Sequence, residues 1–364
     1  MKTDDVIVSF RGVRKTYDGE TLVVKQLDLD IYQGEFLTLL GPSGSGKTTC
    51  LMMLAGFEFP TAGEIRLEGT LLNTVPPHKR NIGMVFQNYA LFPHLTAEQN
   101  VQYPLTVRGV AAAERAGRVH EALKMVRMDG FAKRYPAQLS GGQQQRIALA
   151  RALVFQPKLV LMDEPLGALD KQLREHMQYE LKSLHEKLGL TFVYVTHDQG
   201  EALTMSDRVA VFDKGVVQQL DTVDRLYESP CNAFVAGFVG DSNTLRGKVT
   251  RVDGEYCELQ LDGDARVVGR NVTGASVGAT VVGCIRPERI RMVSAPPARD
   301  DGNALQGATR NIVYFGDHVR IRCALSDQSE CFVKMPLGTL ALEDFAPGAP
   351  VQLTFSPEHL RVFS

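Results

Sequence analysis

Residues 41–48 constrain the fold of this chain more than any other stretch. They read GPSGSGKT, follow an apolar run at residues 36–40 and precede a helix-compatible stretch. A glycine-rich loop between a buried strand and a helix lets successive backbone N–H groups converge on phosphate oxygens. In this pattern Lys47 reaches the β- and γ-phosphates, and the hydroxyl of Thr48 binds Mg²⁺. A chance glycine-rich turn would lack this order of signals, so the sequence predicts a nucleotide-phosphate site.

Apolar runs in the first two-thirds of the chain predict the architecture around this loop. They consist mostly of consecutive apolar residues, as in parallel strands covered by helices on both faces. Helical segments separate them, and the region from about 88 to 156 is mostly helical, with Val119, Leu123 and Val126 at helical spacing. We therefore predict a parallel α/β sheet whose strands include residues 36–40, 159–162 and 192–195.

The sequence changes character after residues 240–242. From about Asn243 onward, short alternating or β-branched runs are separated by Gly, Asp and Pro. Many short strands at close spacing favour a small β-barrel or sandwich. We therefore predict two domains, 1–240 and 243–364, which suits a chain of 364 residues. Examples of the predicted strands are residues 247–252, 281–285 and 351–355.

Charge and composition exclude several classes of protein. The chain has 40 Lys and Arg against 42 Asp and Glu, a formal charge of −2. This balance argues against a nucleic-acid-binding protein that relies on clustered positive charge. No apolar stretch approaches the ~18–20 residues that span a bilayer, and the start, MKTDD, lacks the apolar core of a secretion signal. The six cysteines form no C-x-x-C pair, so we expect reduced thiols in the cytosol.

Two cysteine positions leave alternatives open. Cys50 follows the phosphate loop on its helix, where a helix N-terminus can lower the pKa of a thiol and make it reactive. A buried, unreactive side chain is the alternative that we prefer. Cys323 and Cys331 could face each other in a hairpin, but we expect no disulfide between them.

Two further segments carry groups suited to nucleotide chemistry. The apolar run 159–162 ends in Asp163 and Glu164, which places Asp163 to hold Mg²⁺ and Glu164 to orient or deprotonate an attacking water. Carboxylates are common at solvated strand ends, so this pair indicates a catalytic site only in combination with the phosphate loop. Ser140 is a good N-cap and two glycines follow it, so residues 139–146, LSGGQQQR, predict a second anion-receptive helix N-terminus.

With these motifs, the sequence closely resembles the ATP-binding subunit of an ABC transporter, of the importer type with a C-terminal β extension. The resemblance covers essentially the whole chain, and residues 139–143, LSGGQ, are far more specific than the phosphate loop. It implies an α/β P-loop ABC ATPase domain with a helical subdomain at about 88–156, followed by an all-β OB-like barrel domain. In the C-terminal region, RPE at 286–288 and SPEHL at 356–360 carry the match. The role implied for that region is regulatory or dimer-stabilising.

The resemblance also implies roles for single residues. Tyr17 would stack on adenine, Gln87 would contact Mg²⁺ and the attacking water, and His197 would contact the γ-phosphate. Taken alone, these residues would be a turn tyrosine, a polar strand end and a structural or solvated histidine. The catalytic residues implied are Glu164, His197 and Gln87, and the Mg²⁺ ligands are Thr48, Gln87 and Asp163. The ATP-binding residues implied are Tyr17, Gly41, Pro42, Ser43, Gly44, Ser45, Gly46, Lys47, Thr48, Thr49, Ser140, Gly141, Gly142 and Gln143.

Partners are implied by the same resemblance. In this family, the LSGGQ segment of one subunit closes over the ATP held by the phosphate loop of another. Each motif occurs once here, so we expect two composite sites in a pair of identical chains. We also expect two integral membrane permease subunits, an indirectly coupled solute-binding protein and no nucleic acid. The expected location is peripheral, on the cytoplasmic face of the inner membrane. Tyr89, Leu91 and Phe92 are expected either in the cleft that receives the permease or in the core.

The function implied is ATP hydrolysis that drives solute import. Residues 313–317, VYFGD, favour a polyamine cargo, putrescine or spermidine, over sugar, ferric iron or inorganic anions. An exporter subunit usually lacks the β extension, and a small-molecule kinase lacks the LSGGQ segment. Chromosome ATPases separate their nucleotide motifs by long coiled coils, whereas about 90 residues lie between Lys47 and Ser140. A translation-factor relative would carry two complete cassettes.

Overall fold

The computed structural model describes residues 5–262, 264–293, 302–338 and 346–364. The chain divides into two compact units, Met1–Val223 and Asp224–Ser364. The strands of the first unit are β1 (Val6–Thr16), β2 (Leu22–Tyr32), β3 (Phe36–Leu40), β4 (Ala62–Leu67), β5 (Thr70–Leu71), β6 (Ile82–Val85), β7 (Leu159–Asp163), β8 (Thr191–Thr196), β9 (Arg208–Asp213) and β10 (Val216–Thr222). Its helices are α1 (Lys47–Ala55), α2 (Ala97–Val107), α3 (Ala112–Met125), α4 (Gly141–Leu153), α5 (Lys171–Leu188) and α6 (Gln199–Met205).

These strands form one mixed sheet in the order β5-β4-β1-β2-β10-β9-β3-β8-β7-β6. The run from β9 to β6 is parallel, and the three predicted apolar strands, β3, β7 and β8, are confirmed within it. β1 pairs antiparallel with β2 and β4, which the prediction of a parallel sheet did not include. The alternating burial of β1 fits an antiparallel strand with one covered face.

The central strands of the parallel run are fully buried, and their register fixes where the loops that follow them begin. Every residue of β3, β7 and β8 is buried, and the ring of Phe36 contacts the rings of Phe192 and Tyr194. Leu40 pairs with Thr196, and Asp163 pairs with Val195. The carboxyl ends of the three strands therefore meet at one edge of the sheet, as in other open α/β sheets.

Helices α2, α3 and α4 form the helical region between β6 and β7. Thr96 with Gln99, and Ser140 with Gln143, form reciprocal capping boxes at the starts of α2 and α4. The predicted apolar face of α3 is confirmed, since Val119, Leu123 and Val126 are all buried. The helix ends at Met125, so Val126 lies just beyond its last residue.

The second unit contains two helices, α7 (Val223–Glu228) and α8 (Ala233–Phe238), followed by β-strands. A closed barrel has the order β11-β12-β13-β20-β14, and a separate five-stranded sheet has the order β15-β19-β16-β17-β18. The sequence indicated a single barrel or sandwich, so this second sheet is an addition. The strands are β11 (Asn243–Asp253), β12 (Tyr256–Leu261), β13 (Arg266–Asn271), β14 (Thr280–Ile285), β15 (Arg291–Val293), β16 (Asn303–Tyr314), β17 (His318–Leu325), β18 (Glu330–Pro336), β19 (Pro350–Phe355) and β20 (Arg361–Phe363).

The two units differ from the predicted domain limits in the assignment of residues 224–240. These residues group with the second unit, where α8 packs on β14. The predicted limits 1–240 and 243–364 describe the ATPase domain and the C-terminal domain of the family, not these contact-based units. They stay a prediction. Among the described helices, none combines the length and apolar character needed to cross a membrane.

Cysteine pairing follows the expectation. All six cysteines are free. Cys323 and Cys331 lie opposite each other on β17 and β18, and both are buried. Burial raises the pKa of Cys323 to about 11 and that of Cys331 to about 12, which favours the unreactive thiol form.

Two glycines in the first unit give a matched test of its packing. A Cβ at Gly83, on β6, would lie 2.6 Å from the Ala152 carbonyl oxygen of α4, whereas a Cβ at the exposed helical residue Gly117 would meet nothing within 4 Å. We expect Gly83→Ala to lower the free energy of unfolding by roughly 1–3 kcal/mol, because the backbone contact must open. Gly117→Ala should raise that free energy by up to about 1 kcal/mol, because alanine favours a helix. Urea unfolding of the full chain measures both, and effects of the same sign would contradict this account.

Candidate active site

The phosphate loop follows β3 and turns sharply into α1. Gly44 and Gly46 have φ of 78° and 103°, in the left-handed region that glycine tolerates best. A Cβ at Gly41 would lie 2.3 Å from the Phe212 carbonyl oxygen. Within the loop, the Ser45 N–H donates to the Pro42 carbonyl at 3.3 Å. Glycine is therefore required both for the turn and for its close approach to β9.

Lys47, the first residue of α1, is folded into this loop. Its Nζ donates to the carbonyl oxygens of Gly41 and Pro42, each at 2.8 Å, and to Ser45 Oγ at 3.4 Å. The side chain is buried, and burial lowers the pKa of its ammonium, an effect that Glu164 and Asp163 oppose. The loop thus holds a cationic donor where phosphates would meet the N-terminus of α1.

Thr48 and Asp163 connect the phosphate loop to the end of β7. Thr48 Oγ1 donates to Asp163 Oδ1 at 3.0 Å. Burial raises the pKa of the Asp163 carboxyl, and the hydrogen bond from Thr48 opposes that rise. Hydroxyl, carboxylate and amide oxygens suit Mg²⁺, which also keeps water and phosphate ligands. Within the described residues, no cluster of three His, Cys, Asp or Glu side chains could hold a metal without such ligands.

Glu164 brings the other predicted catalytic residues together. Its Oε1 lies 3.0 Å from His197 Nδ1, and its Oε2 accepts from Gln87 Nε2 at 3.3 Å. Its backbone N–H donates to the Val195 carbonyl at 3.0 Å, and its φ is 43°. A non-glycine residue with positive φ carries strain and occurs often at functional sites. The carboxylate is thus fixed from both sides, beside the loop that holds Lys47.

Tyr17 lies beside the start of α1. Its hydroxyl is 3.5 Å from Thr49 Oγ1, and 60% of the residue is exposed. Lys15 Nζ lies 4.7 Å from the centre of the Tyr17 ring. An exposed ring at the end of the phosphate loop is suited to stacking on a base.

The LSGGQ segment begins α4. Ser140 Oγ accepts from the Gln143 N–H, and Gln143 Oε1 accepts from the Ser140 N–H at 3.0 Å. A Cβ at Gly142 would lie 3.1 Å from Leu173, so the glycine lets α4 approach α5. Among the described residues, no hydrogen bond or ion pair joins Ser140, Gly141, Gly142 or Gln143 to the phosphate loop.

Cys50 lies one turn into α1 and is 1% exposed. Burial raises the pKa of its thiol to about 12. The predicted burial is therefore confirmed, and the raised pKa favours the unreactive thiol form, whose lack of reactivity stays a prediction.

Arg174, on α5, joins two functional turns and escaped the sequence analysis. Its guanidinium donates to the Leu169 carbonyl at 3.1 Å and to Asp198 Oδ2 at 3.2 Å. It thereby links the turn after Glu164 to the turn after His197. Nothing in the local sequence distinguishes this arginine from a solvated one, since its partners come from distant parts of the chain.

Comparison with known families agrees with this geometry. Residues 24–167 match the ABC transporter family, and residues 283–363 match the TOBE domain. The first match contains the phosphate loop, the LSGGQ segment and Glu164. The second covers the end of the barrel and the separate sheet.

Curated relatives are similar over nearly the whole chain. The "Spermidine/putrescine import ATP-binding protein PotA" of Acidothermus cellulolyticus is 47% identical over 97% of this chain and 92% of its own. The protein of the same name from Thermobifida fusca is 46% identical over the same shares. PotA 1 of Pseudomonas aeruginosa is 47% identical over 91% of this chain and 90% of its own.

Solved structures resemble about three-fifths of the chain. The ATP-binding cassette MJ0796, in a dimeric post-hydrolysis state bound to ADP and Pi, is 38% identical with a TM-score of 0.54, over 59% of this chain and 98% of that one. The cbiO1 protein of Clostridium perfringens is 27% identical with a TM-score of 0.57, over 61% of this chain and 91% of that one. The chain has the phosphate loop and the LSGGQ helix, and it is 47% identical to a curated member over 97% of its length. It therefore belongs to the ATP-binding subunits of ABC transporters, with a C-terminal TOBE domain.

Proposed function

We propose that this ABC transporter ATPase drives the import of spermidine or putrescine through a membrane complex. The observation that carries the proposal is the 47% identity over 97% of the chain to a protein named for that import. Similarity over this length includes the TOBE region as well as the nucleotide motifs.

The chemistry that we propose starts at the phosphate loop. The backbone N–H groups of the loop and the ammonium of Lys47 would bind the β- and γ-phosphates of ATP. Thr48, Asp163 and Gln87 would hold Mg²⁺, which would neutralise phosphate charge during the transfer. Glu164 would orient the attacking water and accept its proton, and Tyr17 would stack on the adenine. The contacts of Gln87 and His197 with both oxygens of Glu164 support this arrangement, because they fix the orientation of that carboxylate.

A second copy of the chain is the partner that completes this site in our proposal. Ser140 and Gly141 are exposed at the N-terminus of α4. Ser140 bonds to Gln143 within the helix, and a Cβ at Gly141 would lie 3.4 Å from Leu169, in the turn before α5. A helix N-terminus in that state can accept the γ-phosphate held by another chain. The dimeric state named for MJ0796 supports the same arrangement.

Permease subunits are the other partners that we propose. Phe57 and Phe59 are about half exposed, at 53% and 52%, and Phe57 contacts Phe86 edge-on next to Gln87. Exposed aromatic side chains are enriched at protein interfaces. Of the three residues that the sequence offered for this cleft, Tyr89 is buried and belongs to the core, whereas Leu91 and Phe92 are half-buried. We place the complex at the cytoplasmic face of the membrane.

Uptake measurements test the cargo. Cells that lack this chain should lose uptake of labelled spermidine or putrescine, and re-expression of the wild-type chain should restore it. Uptake of a sugar, ferric iron and sulfate by the same cells is the control. Loss of one of these instead of polyamine uptake would reject the polyamine assignment while leaving the ATPase intact.

Removal of the carboxylate charge tests the role of Glu164. We expect Glu164→Gln to lower kcat for ATP hydrolysis by at least ~10²-fold, because the amide cannot accept the proton of water. ATP binding should persist, because Lys47 and the loop are unchanged. Steady-state hydrolysis and equilibrium binding of a labelled ATP measure the two effects. Glu186→Gln, at an exposed position on α5, is the matched control, and equal kcat for both variants would contradict the assignment.

Mixing two inactive variants tests the composite site. Lys47→Ala removes the phosphate contact and Gly141→Asp places a negative charge at the N-terminus of α4, so each alone should be inactive. In a 1:1 mixture, half of the dimers combine the two variants and retain one intact site, so roughly a quarter of wild-type ATPase activity should return. A mixture as inactive as its components would argue against sites shared between chains.

A further inference from the structure

The turn that follows Gln87 is strained at two consecutive residues. Tyr89 and Ala90 have φ of 60° and 46°, although neither is glycine. Such a backbone conformation is unfavourable for a residue with a Cβ, and it persists only where surrounding contacts hold it. Local hydrogen bonds supply part of that support, since the Tyr89 N–H donates to the Phe86 carbonyl at 2.9 Å. The Tyr89 hydroxyl is buried without a hydrogen-bond partner among the described residues.

Arg151, near the end of α4, binds both carbonyl oxygens of the strained pair. Its Nη1 donates to the Ala90 carbonyl and its Nη2 donates to the Tyr89 carbonyl, each at 2.7 Å. Its guanidinium also lies 5.7 Å from the centre of the Phe92 ring. A planar guanidinium can hold two carbonyl oxygens at once, which the single ammonium of lysine does less rigidly. Arg151 is a charged residue inside the apolar stretch 147–154, so its side chain depends on these specific partners.

The position of this turn determines whether the Gln87 side chain can contact Glu164. Gln87 lies two residues before Tyr89, and its Nε2 reaches Glu164 Oε2 at 3.3 Å. Helix α4 carries the LSGGQ segment at its start and Arg151 in its last turns. One rigid helix thus connects the anion-receptive N-terminus to the turn that bears Gln87.

We propose that Arg151 is a positioning residue for ATP hydrolysis: its guanidinium holds the strained turn at Tyr89 and Ala90, and so keeps Gln87 directed at Glu164. The inference rests on the catalytic role of Glu164 and Gln87 in the proposed function. Arg151 touches neither nucleotide nor water in this account. It acts through the backbone of the turn.

Steady-state hydrolysis by the full chain tests the proposal. Arg151→Lys should lower kcat by roughly ten- to a hundredfold, as expected for a misplaced catalytic group. KM for ATP should change by less than about twofold, because the phosphate loop and Tyr17 keep their contacts. Hydrogen exchange of the backbone at residues 86–92 should become faster in the variant, which reports the turn itself.

Rescue by glycine distinguishes positioning from general stability. Ala90 is exposed, and Ala90→Gly removes the cost of positive φ without removing a buried side chain. When Ala90→Gly is added to Arg151→Lys, log kcat should recover by at least about a third of the drop that Arg151→Lys causes. The reason is that the glycine turn needs less support from the guanidinium. Arg80→Lys is the matched control, because Arg80 is a buried arginine that donates to the carbonyls of Met53, Leu54 and Leu72. It should lower the melting temperature, and Ala90→Gly should not improve its kcat.

Three results would overturn the inference. They are an unchanged kcat in Arg151→Lys, a loss of kcat that Ala90→Gly does not reduce, and a loss that Ala90→Gly repairs equally in Arg80→Lys. Failure of the proposed function is separate, since it would appear as near-wild-type kcat in Glu164→Gln. If Glu164→Gln is inactive while Arg151→Lys is fully active, only the role of Arg151 falls.

Discussion

The site depends on the parallel register of β3, β8 and β7. Leu40 pairs with Thr196 and Asp163 pairs with Val195, so the phosphate loop, Glu164 and His197 all start from one edge of the sheet. The core that holds this register lies below that edge, where Phe36, Phe192 and Tyr194 are fully buried. Because side chains alternate along a strand, a slip of one residue would turn Asp163 away from Thr48 and expose apolar residues. Packing therefore fixes the strand ends from which these groups start.

Lys47 and Asp163 lie at this edge of the sheet in a buried environment, which disfavours charged groups. Burial lowers the pKa of Lys47 and raises that of Asp163, so it disfavours the ionised form of both. Each charge opposes the shift of the other, and the Thr48 hydroxyl supports the Asp163 carboxylate. In the proposed function, the phosphates of ATP and a bound cation would offset the remaining cost. These shifts are consistent with the nucleotide site that we propose, in which the charged groups would face phosphates and not a neutral ligand.

The sequence predicted the parts of the site that depend on local patterns. Continuous apolar runs located β3, β7 and β8, and the glycine spacing located the phosphate loop, because strand burial and positive φ both impose residue types locally. It did not predict Arg174, whose partners Leu169 and Asp198 are brought near by tertiary structure. The antiparallel strands β1 and β2 and the second sheet of the C-terminal unit were also missed, because pairing between distant strands leaves little trace in one sequence. The resemblance supplied roles for Tyr17, Gln87 and His197 that their residue types alone could not.

Three residues with strained backbone conformations in the first unit are each held by hydrogen bonds to another element. Glu164, Tyr89 and Ala90 all have positive φ, and each is held by a contact from another element: Glu164 by the Val195 carbonyl, and the other two by Arg151. Such strain is retained where the backbone must aim a side chain. Since α4 carries both Arg151 and the LSGGQ segment, a shift of this helix on closing over a nucleotide would also move the turn after Gln87. In the function that we propose, this one helix would contact the nucleotide at its start and hold the turn after Gln87 near its end.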